Sequence, residues 1–200
     1  MDSYRRQVFT IFVITLLLFT SSILLVSFYL NGVKDVELNN VISLNDSLKV
    51  RFDSTDNLYV SNILPISDSL GKKITKKDVE EGIQGIIEFE IINNKNKDLS
   101  YDIFLTKQYL YGNAIKDNYI KLYLTDNNDI PFEKFSQNEV ISYNALSSIS
   151  DKPESRLLYS GNIYGRSKQK FRLRMWVSDS YGLFENEEKF LVNVGVREKR

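Results

Sequence analysis

The chain has 200 residues, 26 of them basic and 26 acidic, with no cysteine and no histidine. That length suits one domain plus an appendage, and a net charge of zero argues against a dedicated nucleic-acid binder. Without cysteine there are no disulfides, thiolate nucleophiles or cysteine-held metals; without histidine the commonest general base and transition-metal ligand are gone.

In chain order, the first element predicted is a membrane helix. Val8 to Leu30, VFTIFVITLLLFTSSILLVSFYL, carries no charge. As a helix it reaches about 34 Å, slightly more than the ~30 Å hydrocarbon core of a bilayer. Its scattered Ser and Thr hydroxyls can bond back to helix carbonyls, so lipid tolerates them. Val8, Phe12, Leu17 and Leu24 mark the anchor, and Tyr29 beside Phe28 suits the interface. Arg5 and Arg6 precede the run, whereas Lys34 and Asp35 after it cancel, which places the N-terminus in the cytoplasm. A cleaved signal peptide is the competing reading, but its apolar stretch is shorter and ends in a small-x-small site. Here the run ends Ser27-Phe28-Tyr29-Leu30. The expected organisation is a cytoplasmic N-terminus at 1–7, a transmembrane helix at 8–30, a short stem at 31–35 and an extracytoplasmic domain at 36–200, held at the plasma membrane.

Beyond Gly32 the pattern alternates. Ile87, Phe89 and Ile91 fall on one face against Glu88 and Glu90, and Tyr101 to Thr106 alternates likewise. Ile120, Leu122 and Leu124 point one way, as do Phe190, Val192, Val194 and Val196. A period of two marks half-buried antiparallel strands. Further strands are expected near 36–43, 47–53, 57–64 and 157–160. Asn93 to Asp98 reads as a hairpin turn, with other turns at Asp126 to Asp129 and at Ser160-Gly161-Asn162. Thr75 caps a helix of one or two turns that closes at Gly82. The predicted fold class is mainly β: a single N-terminal transmembrane α-helix followed by an antiparallel β-sandwich, immunoglobulin-like or jelly-roll.

The stretch RLRMWVSDSYG, Arg172 to Gly182, contains the only tryptophan. Phe171, Leu173, Met175 and Val177 share one face, so Arg172, Arg174 and Trp176 share the other, with Tyr181 in the turn beyond. These four residues form a candidate contact patch, because Trp and Arg dominate interface hot spots. The alternative is Trp176 over a sandwich edge with arginine stems folded across it.

Ser69-Leu70-Gly71-Lys72 has the S-x-x-K spacing of Ser–Lys acyl enzymes, but the accompanying S-D-N and K-T-G motifs are absent and Gly71 interrupts the turn. The Asp/Asn loops at 53–56, 93–98 and 126–129 carry oxygen ligands of the kind Ca2+ takes, without an EF-hand frame. A Lys–Asn isopeptide staple would need a buried lysine, and most lysines here lie on polar faces or strand ends. Asn45-Asp46-Ser47 fits a glycosylation sequon.

Leu58 to Gly71 precedes a strand ending in Asn93-Asn94, then Leu99-Ser100-Tyr101, and later Lys170 to Ser178 precedes the closing strand. In this the chain resembles the small membrane-anchored surface sandwiches of low-GC Gram-positive bacteria, the camelysin and TasA-type biofilm-fibre group. The resemblance implies a structural or adhesive envelope protein. The chain departs from camelysin in lacking histidine and in its uncleaved anchor, so no protease activity is carried over.

The function expected is non-catalytic: protein–protein contact or self-assembly in the envelope, with no cofactor, nucleic acid or small-molecule substrate. The alternatives are a carbohydrate-binding module that stacks sugars on tyrosines and Trp176, and a Ser–Lys membrane peptidase. Donor-strand pairing through Val36 to Ile42 is a route to assembly.

Overall fold

The two-residue period sets the architecture. A computed structural model describes residues 41–199 apart from 44–46, 54–56, 62–63, 81–84, 109–112, 136–138, 150–151 and 183–187. The chain divides into two units, Met1–Asn39 and Asn40–Arg200, and every element below belongs to the second. The expected cytoplasmic segment, the transmembrane helix with Val8, Phe12, Leu17, Leu24 and Tyr29, the stem and strand residues 36–40 lie outside the described residues. Among the described residues, no helix is long and apolar enough to cross a membrane.

The chain is mainly β. It starts with β1 (Val41–Ser43), β2 (Leu48–Phe52) and β3 (Asn57–Ser61). Two short helices follow, α1 (Asp68–Gly71) and α2 (Lys76–Glu80). Next come β4 (Gly85–Asn93), β5 (Leu99–Lys107), β6 (Asn113–Ala114) and β7 (Ile120–Thr125). The remaining strands are β8 (Ile141–Ser142), β9 (Ser147–Ile149), β10 (Lys152–Ile163), β11 (Lys168–Val177) and β12 (Glu188–Glu198).

These strands make two sheets. Sheet A runs β1-β2-β4-β11-β7-β8, and sheet B runs β3-β12-β5-β10-β9. The pairings along both are antiparallel; β6 alone runs parallel to its neighbour, β12. One apolar core takes residues from both sheets, an arrangement consistent with a β-sandwich. Ile87, Phe89 and Ile91 of β4, Ile120, Leu122 and Leu124 of β7, and Phe190, Val192, Val194 and Val196 of β12 are all buried, as their alternation predicts. An aromatic chain joins the layers. Phe171 in sheet A stacks on Phe89 at 5.1 Å and on Phe132 at 4.8 Å, and meets Tyr101 of sheet B edge-on at 6.0 Å.

Two turn assignments are corrected. Residues 93–98 do not close a hairpin: β2 and β11 occupy both edges of β4, and β10 and β12 both edges of β5, so the segment crosses from sheet A to sheet B. Asn93 fixes the crossing: its side-chain amide donates to the carbonyls of Lys97 and Tyr164, and its carbonyl accepts from the Lys95 N–H. Ser160-Gly161-Asn162 lies inside β10, paired with Asp102, Tyr101 and Ser100, and the turn falls later, around Gly165 and Arg166. The polar residues mislead there because β10 presents Ser160 and Asn162 on its exposed side.

The helix expected after Thr75 is present as α2, and its expected close at Gly82 lies outside the described residues. The Thr75 backbone N–H and hydroxyl both donate to Asp78 Oδ2, at 2.7 and 2.6 Å, closing the first turn of α2. The glycine in α1 answers a packing demand. A Cβ on Gly71 would come within 2.2 Å of the Trp176 ring, so only glycine lets α1 lie flat on the indole. Gly71→Ala should therefore destabilise the fold by about 1–3 kcal/mol. As the sole tryptophan, Trp176 reports this directly: its emission should shift to the red, and an unchanged spectrum and urea midpoint would contradict the packing.

Candidate functional site

The outer face of sheet A presents the most organised array of charge. β11 alternates, so Lys168, Lys170, Arg172, Arg174 and Trp176 point away from the core while Phe171, Leu173, Met175 and Val177 point into it. Register sets Arg172 opposite Glu88 on β4 and Thr125 on β7. The same rule puts Glu90 opposite Arg51 and Lys170.

From these positions an ionic chain runs across the sheet. The Lys76 ammonium, carried by α2, reaches Asp53 at 3.2 Å and Glu88 at 2.8 Å. Arg172 donates to Glu88 at 2.6 Å and to Asp129 at 2.7 Å. Arg174 donates to the same Asp129 oxygen at 2.5 Å, to the Ile74 carbonyl at 2.8 Å and to the Thr125 hydroxyl at 3.2 Å. Glu90 stands 3.6 Å from both Arg51 and Lys168. Around this chain the surface forms two grooves that share Glu88 and Arg172, one of about 500 Å³ beside residues 72–76 and one of about 240 Å³ toward Lys168.

The electrostatics follow from the contacts. Burial by itself would raise the Glu88 carboxyl, but hydrogen bonds from Lys76 and Arg172 outweigh it and bring the value down to about 2. Asp129 moves the same way: burial opposes, and bonds from Arg174 and Arg172 hold it below the ordinary carboxylate range. Asp129 sits at φ 63°, a left-handed conformation that aspartate tolerates in turns. Asp126 forms that turn by accepting the N–H groups of Asn128 and Ile130, both at 2.8 Å.

The expected exposed patch takes a different form. Trp176 is 0% exposed and Arg174 3%, because α1 and the segment after it lie over this end of the strand. The indole N–H donates to Asp68 at 3.3 Å rather than facing solvent. Arg172 and Tyr181 are half-buried, and Tyr181 packs edge-on against Tyr119 and bonds Glu188, away from the arginines. The structure thus brings Arg172 and Arg174 together on one carboxylate and leaves Trp176 and Tyr181 out. Sequence reading missed Lys76, Glu88 and Asp129 as their partners. Two arginines on one strand face called for an acid, but which loop supplies it depends on register.

The other candidates resolve locally. Ser69 Oγ bonds Ser67 Oγ at 2.9 Å, while Gly71 serves Trp176. Of the loops read for Ca2+, residues 54–56 lie outside the described residues and Asp53 pairs with Lys76, while Asp98 accepts from Gly165, Asn96 from Arg166 and Asp126 from its own turn. Among the described residues, no group of three His, Cys, Asp or Glu is placed to hold a metal. Tyr101, Tyr123 and Tyr143 are buried with Trp176, so they build no aromatic platform for sugar.

No protein-family model matches the chain, and no curated protein matches its sequence.

The Glu88 shift makes stability depend on acid. Its folded pKa lies below the unfolded value near 4.5, so the folded state binds fewer protons, and the stabilisation is present above pH 4.5 and lost as pH falls toward about 2. Asp129, lowered in the same direction, adds to this loss. Urea midpoints measured from pH 6 downward should fall across that window, and Glu88→Gln should flatten the fall while lowering the midpoint at neutral pH. An equally steep curve in the variant would refute the assignment.

Proposed function

We propose that this chain is a single-pass membrane protein, N-terminus inside, whose β domain works outside the cell as a non-catalytic module for protein contact or assembly in the envelope. The observation that carries the reading is the uncharged run Val8 to Leu30 with Arg5 and Arg6 before it. Its length suits a span, and its flanks suit that orientation. The domain is of the jelly-roll rather than the immunoglobulin kind. This is supported by the chain changing sheet from β4 to β5, from β10 to β11 and from β11 to β12.

The contact reading is favoured by the edge of sheet B. β3 is the outermost strand there among the described residues, and its Tyr59 is 43% exposed. An outer strand offers main-chain groups for pairing, and tyrosine adds contact area at low entropic cost.

Membrane placement is tested by fractionating cells that express the full chain. It should stay in the pellet through alkaline carbonate, and protease added outside intact cells should remove the β domain. Release by carbonate, or full protection from protease, would overturn the proposal. For the contact role, a photo-crosslinking residue at position 59 should give discrete adducts in living cells and the same residue at buried position 143 none. Equal yields would count against the edge.

A further inference from the structure

We infer that the outer face of sheet A binds a linear phosphodiester polymer of the poly(glycerol phosphate) kind. The inference rests on the face itself and not on the membrane placement.

The chain as a whole is neutral, yet its charge is segregated. Eight basic and four acidic side chains line the two grooves, 8 − 4 giving a surplus of four positive charges. The carboxylates are already engaged with cations: Glu88 with Lys76 and Arg172, Asp129 with both arginines, Glu90 with Arg51 and Lys168. They hold the cationic heads in place, and the surplus faces solvent. Lys73 and Lys170 are exposed and form no ion pair among the described residues.

Spacing supports a linear ligand. Lys168, Lys170 and Arg172 occupy every second position on β11, so their stems are about 7 Å apart. That is comparable with the repeat of an extended phosphodiester chain carrying one charge per unit. Lysine meets phosphate as a point charge without strict geometry, and Arg172, with Nε on Glu88 and Nη1 on Asp129, has Nη2 left to offer. Arg174, 3% exposed and bonded to the Ile74 carbonyl, the Thr125 hydroxyl and Asp129, is committed to the fold and serves only to hold Asp129 beside Arg172. Single-stranded nucleic acid is held in part by bases stacked on flat side chains, and the aromatic ring on this row, Trp176, is sealed beneath α1. An acidic peptide would find a sheet face rather than a free edge, and so could not pair its backbone.

The test uses the full-length chain in mild detergent, titrated with synthetic poly(glycerol phosphate). Binding should appear at low salt and weaken at least about tenfold between 20 and 150 mM salt. Lys73→Gln with Lys170→Gln, which break no ion pair among the described residues, should weaken it at least about fivefold while leaving the unfolding midpoint in place. Lys116→Gln with Lys199→Gln, an equal change of charge at exposed positions off this face, should alter affinity by less than about twofold. No binding at low salt, or equal losses in the two double variants, would overturn the inference. So would tighter binding of single-stranded DNA or polyglutamate of matched charge, which would assign the face to a nucleic acid or an acidic peptide instead.

Discussion

Contact between the two sheets through Phe171 is the constraint on which the rest of the domain depends. The ring stacks between Phe89 and Phe132 and meets Tyr101 across the interface, so it touches its own sheet, a loop and the opposite sheet at once. Tyr101 is buried, and its hydroxyl donates to Gln169 on β11 at 2.8 Å, tying β5 to the same strand. A buried tyrosine with a partner contributes its ring to the core without leaving an orphaned polar group. With this interface formed, β11 has one face committed inward, and its other face must take what the alternation leaves: four cations and a tryptophan.

The outer face then becomes an electrostatic problem with local solutions. Arg174 is nearly inaccessible, and a desolvated guanidinium without partners would be costly. It receives a carboxylate from the 126–130 turn, a carbonyl from the segment before α2 and a hydroxyl from β7. Trp176 is handled differently, by a helix whose glycine lets the backbone lie on the ring. The short helices are therefore the cover of one end of β11, and the groove beside 72–76 is the space left where that cover ends. The ion pairs further out are half-exposed and screened, so they orient the cations more than they stabilise the fold.

Much of this was legible in the alternation. The inward residues of β4, β7 and β12 follow from a period of two, and Thr75 with Asp78 is a local capping signal three residues apart. What could not be read was any pairing of distant partners. Asn93 to Asp98 has the composition of a hairpin and instead links two sheets, because composition sets a turn and not which strand follows on which layer. Trp176 reads as exposed from its strand position alone, and its burial comes from Gly71, more than a hundred residues earlier in the chain. Asp129 reads as one more turn residue; it becomes the anchor for two arginines only when β7 lies beside β11.

Native-state hydrogen exchange measures the cooperativity of the two layers most directly. If they stand as one unit around Phe171, the amides of β4 and β11 in sheet A and of β5 and β12 in sheet B exchange with a common free energy, equal to that of global unfolding. Phe171→Leu should then lower all four strands together. Sheets that open at separate free energies, or a variant that loosens only sheet A, would contradict the shared core.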